Sequence, residues 1–172
     1  MPEILRTRDV IVFGKGDTFT VNVDNELAVN GWVGGQGCMY KASTEDELLV
    51  QRSDGLYAGF LLWGSDEVPD GFTAMTRNQP TYKFATVGAG GWLMATTTYE
   101  KYTYASRLGG PLVPLTYSAS DRLVFSLRGY WTKEDEWTLS GDPRAPNEYY
   151  IGYVAQAPTP SRRDYMTIQV AI

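Results

Sequence analysis

The sequence contains no histidine and only one cysteine, Cys38. Without histidine, the chain cannot form a Ser-His-Asp or Cys-His nucleophilic system or a histidine-ligated zinc site. A single cysteine also excludes an intramolecular disulfide and a cysteine-based zinc cluster. Because free cysteine is usually buried, we expect Cys38 to be an unreactive core residue.

Long apolar runs are also missing. No run of about 18 apolar residues is available to span a bilayer, and Met1 to Arg6 lacks the apolar stretch of a secretory signal. We therefore expect no membrane partner, and synthesis in a reducing cytoplasm.

Positive charge is scarce, since the net charge is −5. Most of the acidic excess lies between Ser43 and Asp70, where Arg52 is the one basic residue. Nucleic-acid binding depends on neutralising phosphates, so this charge balance argues against a nucleic-acid partner.

The composition favours β-strands. The chain has 12 Tyr, 6 Phe and 5 Trp, which suit half-buried pleated surfaces, while 18 Gly and 9 Pro punctuate it with turns. No segment carries an apolar stripe at helical spacing long enough for a substantial helix. Strands are predicted at residues 9–13, 18–23, 38–42, 47–51, 56–63, 82–87, 92–98, 122–130, 149–157 and 165–172.

Turn residues predict how two pairs of these strands are joined. Gly14 to Asp17 predicts a hairpin between the first two strands, and Asp54-Gly55 predicts another between residues 47–51 and 56–63. The fold class is therefore all-β: an antiparallel β-sandwich or β-barrel of roughly ten short strands, with little or no helix. We interpret residues 1–8 as an N-terminal arm and residues 9–172 as a single β domain.

No motif in the chain carries recognisable chemistry. The acids Asp66-Glu67 and Glu134 to Glu136 lie in polar loops and are interpreted as solvated surface. The glycine-rich stretches at Gly14 to Thr18 and Gly88 to Gly91 lack the following helix that a phosphate-binding loop needs. The sequence therefore predicts no catalytic residue, metal site or cofactor, and a protein that is not an enzyme.

The aromatic residues allow two interpretations. Tyrosine and tryptophan are enriched at protein interfaces and stack on sugars, but most aromatic side chains of a β domain fill its core. Trp131 and Trp137 flank the charged run Lys133 to Glu136, so we expect at least one of them to lie near the surface.

Three short motifs follow one another in the C-terminal half. They are Gly90-Gly-Trp-Leu93 continuing to Tyr99, then Gly110-Pro-Leu-Val-Pro114, and finally Ile151-Gly-Tyr-Val154 followed by Ala157-Pro158 and the strand Met166 to Val170. With these motifs, about half of the chain resembles a family of bacteriophage virion proteins that decorate or cement the head.

The resemblance implies a small, non-catalytic β protein, made in the host cytoplasm and located on the capsid surface of the virion. Its partner would be the major capsid protein, and it would clamp neighbouring capsid subunits of the assembled head as a homo-oligomer, a dimer or a trimer. Segments able to extend over a neighbour are the best contact candidates. We therefore predict capsid-binding residues in the N-terminal arm, Arg6 and Arg8, and in the loop flanked by Trp131 and Trp137.

Two other function classes remain open. The aromatic residues also suit a carbohydrate-binding or receptor-binding β domain of a virion tail component. A small β hydrolase acting with two carboxylates is a further possibility, although no pair of acids stands out in the sequence.

Overall fold

A computed structural model describes residues 9–41, 49–52, 59–62, 64, 84–133 and 151–171. The described residues form an all-β fold, as predicted, with eleven strands and a few short helical turns. In chain order the strands are β1 (Val10–Gly14), β2 (Thr18–Val23), β3 (Gly37–Lys41), β4 (Leu49–Arg52), β5 (Gly59–Leu61), β6 (Phe84–Gly88), β7 (Leu93–Thr96), β8 (Arg122–Phe125), β9 (Trp131–Lys133), β10 (Gly152–Gln156) and β11 (Met166–Val170).

The strands are divided between a sheet and a barrel. Six strands form a sheet in the order β1-β7-β11-β10-β8-β9, and five form a closed barrel in the order β2-β4-β3-β5-β6. All strand pairs are antiparallel except β2 with β4, which is parallel. The barrel strands are consecutive in the chain, so the barrel is inserted between β1 and the rest of the sheet.

The helical segments are short. Helix α1 (Asn25–Asn30) begins after Asp24, whose carboxylate accepts a hydrogen bond of 2.9 Å from the backbone N–H of Leu27. Helix α2 (Tyr104–Leu108) follows Thr103, and a 3-10 turn covers Pro160–Arg162. Six residues are too few to show a helical period, so the sequence pattern does not predict α1, although Asp24 is a typical N-cap residue.

The predicted hairpin between β1 and β2 is wrong. β1 pairs with β7 of the sheet, whereas β2 pairs with β4 and β6 of the barrel. The turn between β1 and β2 instead lies beside the link from β6 to β7. The Asp17 N–H donates to the Gly90 carbonyl (3.1 Å) and the Ala89 N–H donates to the Asp17 carbonyl (2.9 Å). The two crossings between barrel and sheet are thus hydrogen-bonded to each other.

The second predicted hairpin is also wrong. β3 lies between β4 and β5 and pairs with both, so the strands on either side of Asp54-Gly55 are not neighbours. The dipeptide itself lies outside the described residues. The predicted strand at 122–130 is too long: only β8 lies in it, and the chain turns at residues 126–130, where Gly129 has φ +78°, before β9 begins at Trp131.

Two apolar clusters form the core. The sheet cluster contains Trp92 and Trp131, and the barrel cluster contains Trp32 and Cys38. Phe60 belongs to a barrel strand, but its ring packs on the sheet cluster, 5.7 Å from the Trp92 ring and 6.3 Å from the Trp131 ring. One core therefore continues from the barrel into the sheet.

A glycine-rich segment, Gly34–Gly37, joins barrel and sheet, and we call it the junction loop. The indole N–H of Trp131 donates to the Gly35 carbonyl (2.8 Å), and the Gly37 N–H donates to the Gly129 carbonyl (2.6 Å). Backbone groups of the junction loop thus form hydrogen bonds with residues of the sheet.

The absence of a side chain at Gly37 is a steric requirement. A Cβ atom there would lie 2.4 Å from the ring of Phe125, well inside van der Waals contact. Gly35 has φ +90°, and a Cβ atom at that position would lie 2.7 Å from the Thr96 hydroxyl. The many glycines of the junction loop, which disfavour a regular strand, therefore allow the loop to lie this close to the sheet.

Replacing Gly37 with alanine should therefore destabilise the protein. We expect Gly37→Ala to lower the free energy of unfolding by about 1–3 kcal/mol or more, since the Phe125 ring has to move. Urea denaturation followed by tryptophan fluorescence measures the change. Gly109→Ala is the matched control, because a Cβ atom at Gly109 meets nothing within 4 Å. Equal stability of the two variants would show that the Phe125 ring does not pack tightly against Gly37.

Cys38 is fully buried in the barrel cluster, and its thiol lies 3.6 Å from the Gly59 carbonyl oxygen. Burial raises the pKa of this thiol from 9.0 to about 12, with the hydrogen bond to Gly59 acting in the opposite direction. We expect no reaction of the native protein with a thiol-specific chromogenic reagent at pH 8, and one equivalent of reaction in urea. Reaction of the native protein at the rate of the unfolded one would show that the thiol is accessible.

Candidate docking surface

Of the four residues predicted to contact the capsid, the structure describes one. Arg6, Arg8 and Trp137 lie outside the described residues. Trp131 is fully buried, packed edge-on against Phe125 with ring centroids 4.7 Å apart. The prediction of Trp131 as a surface contact is therefore wrong. The residue faces inward from β9 and uses its N–H within the protein.

The other described tryptophans are also core residues. Trp92 is fully buried and donates its indole N–H to the Asp17 carbonyl (2.7 Å), and Trp32 is buried in the barrel cluster. A row of exposed tryptophans is thus absent from the described part of the chain.

The acids of the described ranges do not converge on a metal. Within these ranges no group of three or more histidine, cysteine, aspartate or glutamate residues is placed to hold a metal ion. Where residues are described, there is also no helix long and apolar enough to cross a membrane. The predicted surface acids Asp66-Glu67 and Glu134 to Glu136 lie outside those ranges.

Between β7 and β8 the chain makes an excursion over residues 101–115, which we call the arm and which is distinct from the N-terminal arm of residues 1–8. Its two sides are antiparallel: the Thr103 N–H donates to the Val113 carbonyl and the Leu115 N–H donates to the Lys101 carbonyl, both at 2.9 Å. Between them, α2 begins at a cap in which the Thr103 hydroxyl accepts a hydrogen bond from the backbone N–H of Ser106 (3.3 Å). The arm is therefore an ordered hairpin-like element.

The end of the arm is apolar and open to solvent. Every residue from 107 to 114 is exposed. Leu108 is 71% exposed, Leu112 49% and Val113 52%, and we call these three side chains the arm tip. The link between them contains Gly110, which has φ +84° and has nothing within 4 Å of its Cβ position. Three large apolar side chains exposed within six residues of one turn are more than an isolated surface apolar residue, and they make this turn a candidate binding surface.

The base of the arm is fixed to the sheet cluster. Leu115 packs against that cluster, and Tyr117 is buried with its hydroxyl donating to the Glu100 carbonyl (2.6 Å). The Tyr117 ring is also perpendicular to the ring of Tyr99, with centroids 5.5 Å apart. The residues just before and just after the arm are thus tied to each other.

A buried carboxylate braces the same base. The side chain of Glu100 is fully buried and accepts two hydrogen bonds from the guanidinium of Arg128, one of them 3.3 Å long from Nε. The hydrogen bond to Glu100 raises the pKa of Arg128. The guanidinium also lies over the ring of Tyr130, 4.5 Å from its centroid. A buried carboxylate needs such a partner, because an isolated buried charge is costly.

The arm carries positive charge only. Lys101 and Arg107 are its charged residues, in a chain of net charge −5. Arg107 lies 5.2 Å from the ring centroid of Tyr102, so its guanidinium is held against the side of the arm. The run from Leu108 to Ser120, which has no charged residue, contains the arm tip and the returning side of the arm and continues past its end.

Comparison of the chain with models of protein families, with curated proteins and with solved structures gives no match. The arm is the candidate site that the geometry itself provides. The arm is not among the predicted contact segments, although Gly109-Gly110-Pro111 inside an uncharged run is the signal of an exposed turn with apolar flanks.

Removing the guanidinium of Arg128 should destabilise the base of the arm. We expect Arg128→Met to lower the free energy of unfolding by about 2–4 kcal/mol, since it leaves the Glu100 carboxylate buried without its partner. Adding Glu100→Gln should recover part of this loss, because the buried charge is then gone. Urea denaturation measures both effects.

Arg107→Met is the control for this experiment, because it removes an exposed arginine and should change stability by no more than about 0.5 kcal/mol. If Arg128→Met were as stable as Arg107→Met, the ion pair would not brace the arm.

Proposed function

We propose that this protein is a bacteriophage capsid decoration protein, which binds the outer surface of the assembled head and stabilises it by clamping neighbouring subunits. The observation that carries the proposal is the braced arm with its exposed apolar tip. An apolar surface fixed to a rigid body can bind a neighbouring protein without first paying the entropy of ordering a loop. The major capsid protein is the proposed partner.

The positions of the resembling motifs support this proposal. Gly110 to Pro114 makes up most of the exposed turn of the arm. The motif that ends at Leu93 leads into β7, and Ile151 to Val154 overlaps the start of β10. In the sheet, β11 lies between β7 and β10. Motifs that are separate in the sequence are thus adjacent in one sheet or lie on the arm that leaves it.

The remaining features of the proposal are those implied by the resemblance. The protein is made in the host cytoplasm, becomes part of the virion at the capsid surface, acts as a homo-oligomer and has no catalytic role. Arg6, Arg8 and Trp137 stay predicted capsid contacts, and the arm tip takes the place of Trp131.

A carbohydrate-binding or receptor-binding role in a virion tail is the second candidate, favoured by one observation. Leu93, Gln169 and Tyr153 are cross-strand neighbours on the outer face of the sheet, and Phe13 and Tyr153 are exposed. An exposed ring beside a polar side chain, as Tyr153 is beside Gln169, suits sugar stacking. Binding on a glycan array that is lost in Tyr153→Ala, but kept in Leu112→Ser, would favour this role.

Co-sedimentation with capsid shells that lack the protein tests the decoration role. We expect saturable binding by the wild type and a higher melting temperature of the shells. Leu108→Ser/Leu112→Ser should weaken binding about tenfold or more, since two apolar side chains no longer leave water at the contact.

Val29→Ser is the matched control, because Val29 is 59% exposed on α1, which lies between two barrel strands in the chain and is not part of the arm. It should bind shells like the wild type. A wild-type protein that does not bind shells at all would refute the decoration role.

A further inference from the structure

Charge is distributed unevenly along the chain. Residues 101–133 contain five basic residues and one acid, Asp121, although the net charge of the whole chain is −5. The arm, residues 101–115, is the first part of this basic segment, and no acid occurs in residues 101–120. The apolar arm tip therefore belongs to a part of the protein in which positive charge predominates.

Two basic residues at the base of the arm are neutralised within the protein. Arg128 pairs with the buried carboxylate of Glu100, and the Nζ atom of Lys133 lies 3.6 Å from the carboxylate of Asp121. These two cations have their counter-charges and need none from a partner.

Lys101 and Arg107, which we call the arm cations, are different. Both are exposed, and among the described residues neither takes part in an ion pair. Each lies over a ring instead: Lys101 is 5.7 Å from the ring centroid of Tyr99, and Arg107 is 5.2 Å from that of Tyr102. A cation over an aromatic face is held in place but keeps its charge. The arm cations thus have fixed positions and no neutralising acid.

A partner that buries the arm tip also brings its own surface over the arm cations, and its charge there decides whether they favour or oppose binding. We propose that the arm tip docks in an apolar pocket of the major capsid protein, and that carboxylates on the rim of this pocket pair with Lys101 and Arg107. This inference rests on the proposed function, in which the arm contacts the capsid. An apolar centre within a polar rim is also the usual anatomy of a protein interface.

An anionic membrane would attract an apolar tip with positive charge too, but the number of cations favours a protein partner. Segments that bind anionic lipids carry clusters of about four to eight lysine or arginine residues, whereas the arm has two. Both are held against rings, which suits carboxylates at fixed positions better than a fluid layer of headgroups.

Equilibrium binding of the full-length protein to shells that lack it, at about 0.1 M and 1 M NaCl, tests the acidic rim. Higher salt shortens the Debye length from about 10 to 3 Å, so wild-type binding should weaken. Lys101→Glu and Arg107→Glu should each raise the dissociation constant about threefold or more at 0.1 M NaCl and less than about twofold at 1 M. The loss caused by Leu108→Ser/Leu112→Ser should persist at both concentrations, because it is apolar in origin.

Lys15→Glu is the matched control, because it changes the net charge by the same amount at an exposed residue. Lys15 lies in the turn between β1 and β2, beside the link that enters β7, whereas the arm follows the other end of β7. This variant should bind shells like the wild type. If Lys101→Glu and Arg107→Glu also bind like the wild type, the pocket has no acidic rim; the inference is then overturned while the decoration role stands.

A second measurement tests the carboxylates of the shell directly. Treatment of shells with a carbodiimide and ethanolamine converts exposed carboxylates to neutral amides. These shells should bind the wild type more weakly at 0.1 M NaCl and no longer distinguish it from Arg107→Glu, whereas shells with acetylated amines should bind at least as well as untreated ones.

Undiminished binding to amidated shells would overturn the inference. Flotation of the protein with vesicles of phosphatidylcholine and phosphatidylglycerol, dependent on Leu108 and Leu112, would then identify lipid as the partner of the arm tip. Failure of the decoration role is a separate result, since it appears as wild-type protein that binds no shells at either salt concentration, and it would refute this inference as well.

Discussion

The close contact between the junction loop and the aromatic side chains of the sheet is the interaction on which the rest of this structure depends. Gly37 lies against the ring of Phe125, and the carbonyl of Gly35 accepts the indole N–H of Trp131. The backbone of Trp131 in turn exchanges hydrogen bonds with residues 98–100: its N–H donates to Thr98 (3.2 Å) and its carbonyl accepts from Glu100 (2.8 Å). One tryptophan thus connects the barrel, the edge strand of the sheet and the start of the arm.

This connection explains why an arm with a solvent-exposed apolar end can be ordered. The arm is held to the sheet at both of its ends, by Glu100 on one side and Tyr117 on the other, and these residues fix its orientation. Both residues are buried in the sheet cluster or tied to it. Because the base of the arm is fixed, the arm tip can stay exposed to solvent and does not have to pack on the rest of the protein to keep its shape.

Local patterns predicted where strands lie far better than which strands pair. β2 has the predicted bounds, and β11 lies within the predicted range, because alternation and turn residues act within a few positions. The two predicted hairpins are wrong because pairing is decided by distant groups, such as the bond between Asp17 and Gly90. For the site, the charged run after Trp131 indicates only the polarity of its immediate neighbours in the chain. It carries no information on the junction loop, far away in the sequence, that covers the indole of Trp131.

The insertion of the barrel between β1 and β7 has a consequence for synthesis on the ribosome. All five barrel strands lie between residues 18 and 88, so they emerge in one stretch and can pair early. β7 lies between β1 and β11 in the sheet, and the last of these strands ends only at Val170. β1 must therefore wait for β7, which is made after the whole barrel, and β7 in turn waits for β11, a long-range closure that slows folding. In the nascent chain, the barrel can be complete while the sheet and the base of the arm await the final strand.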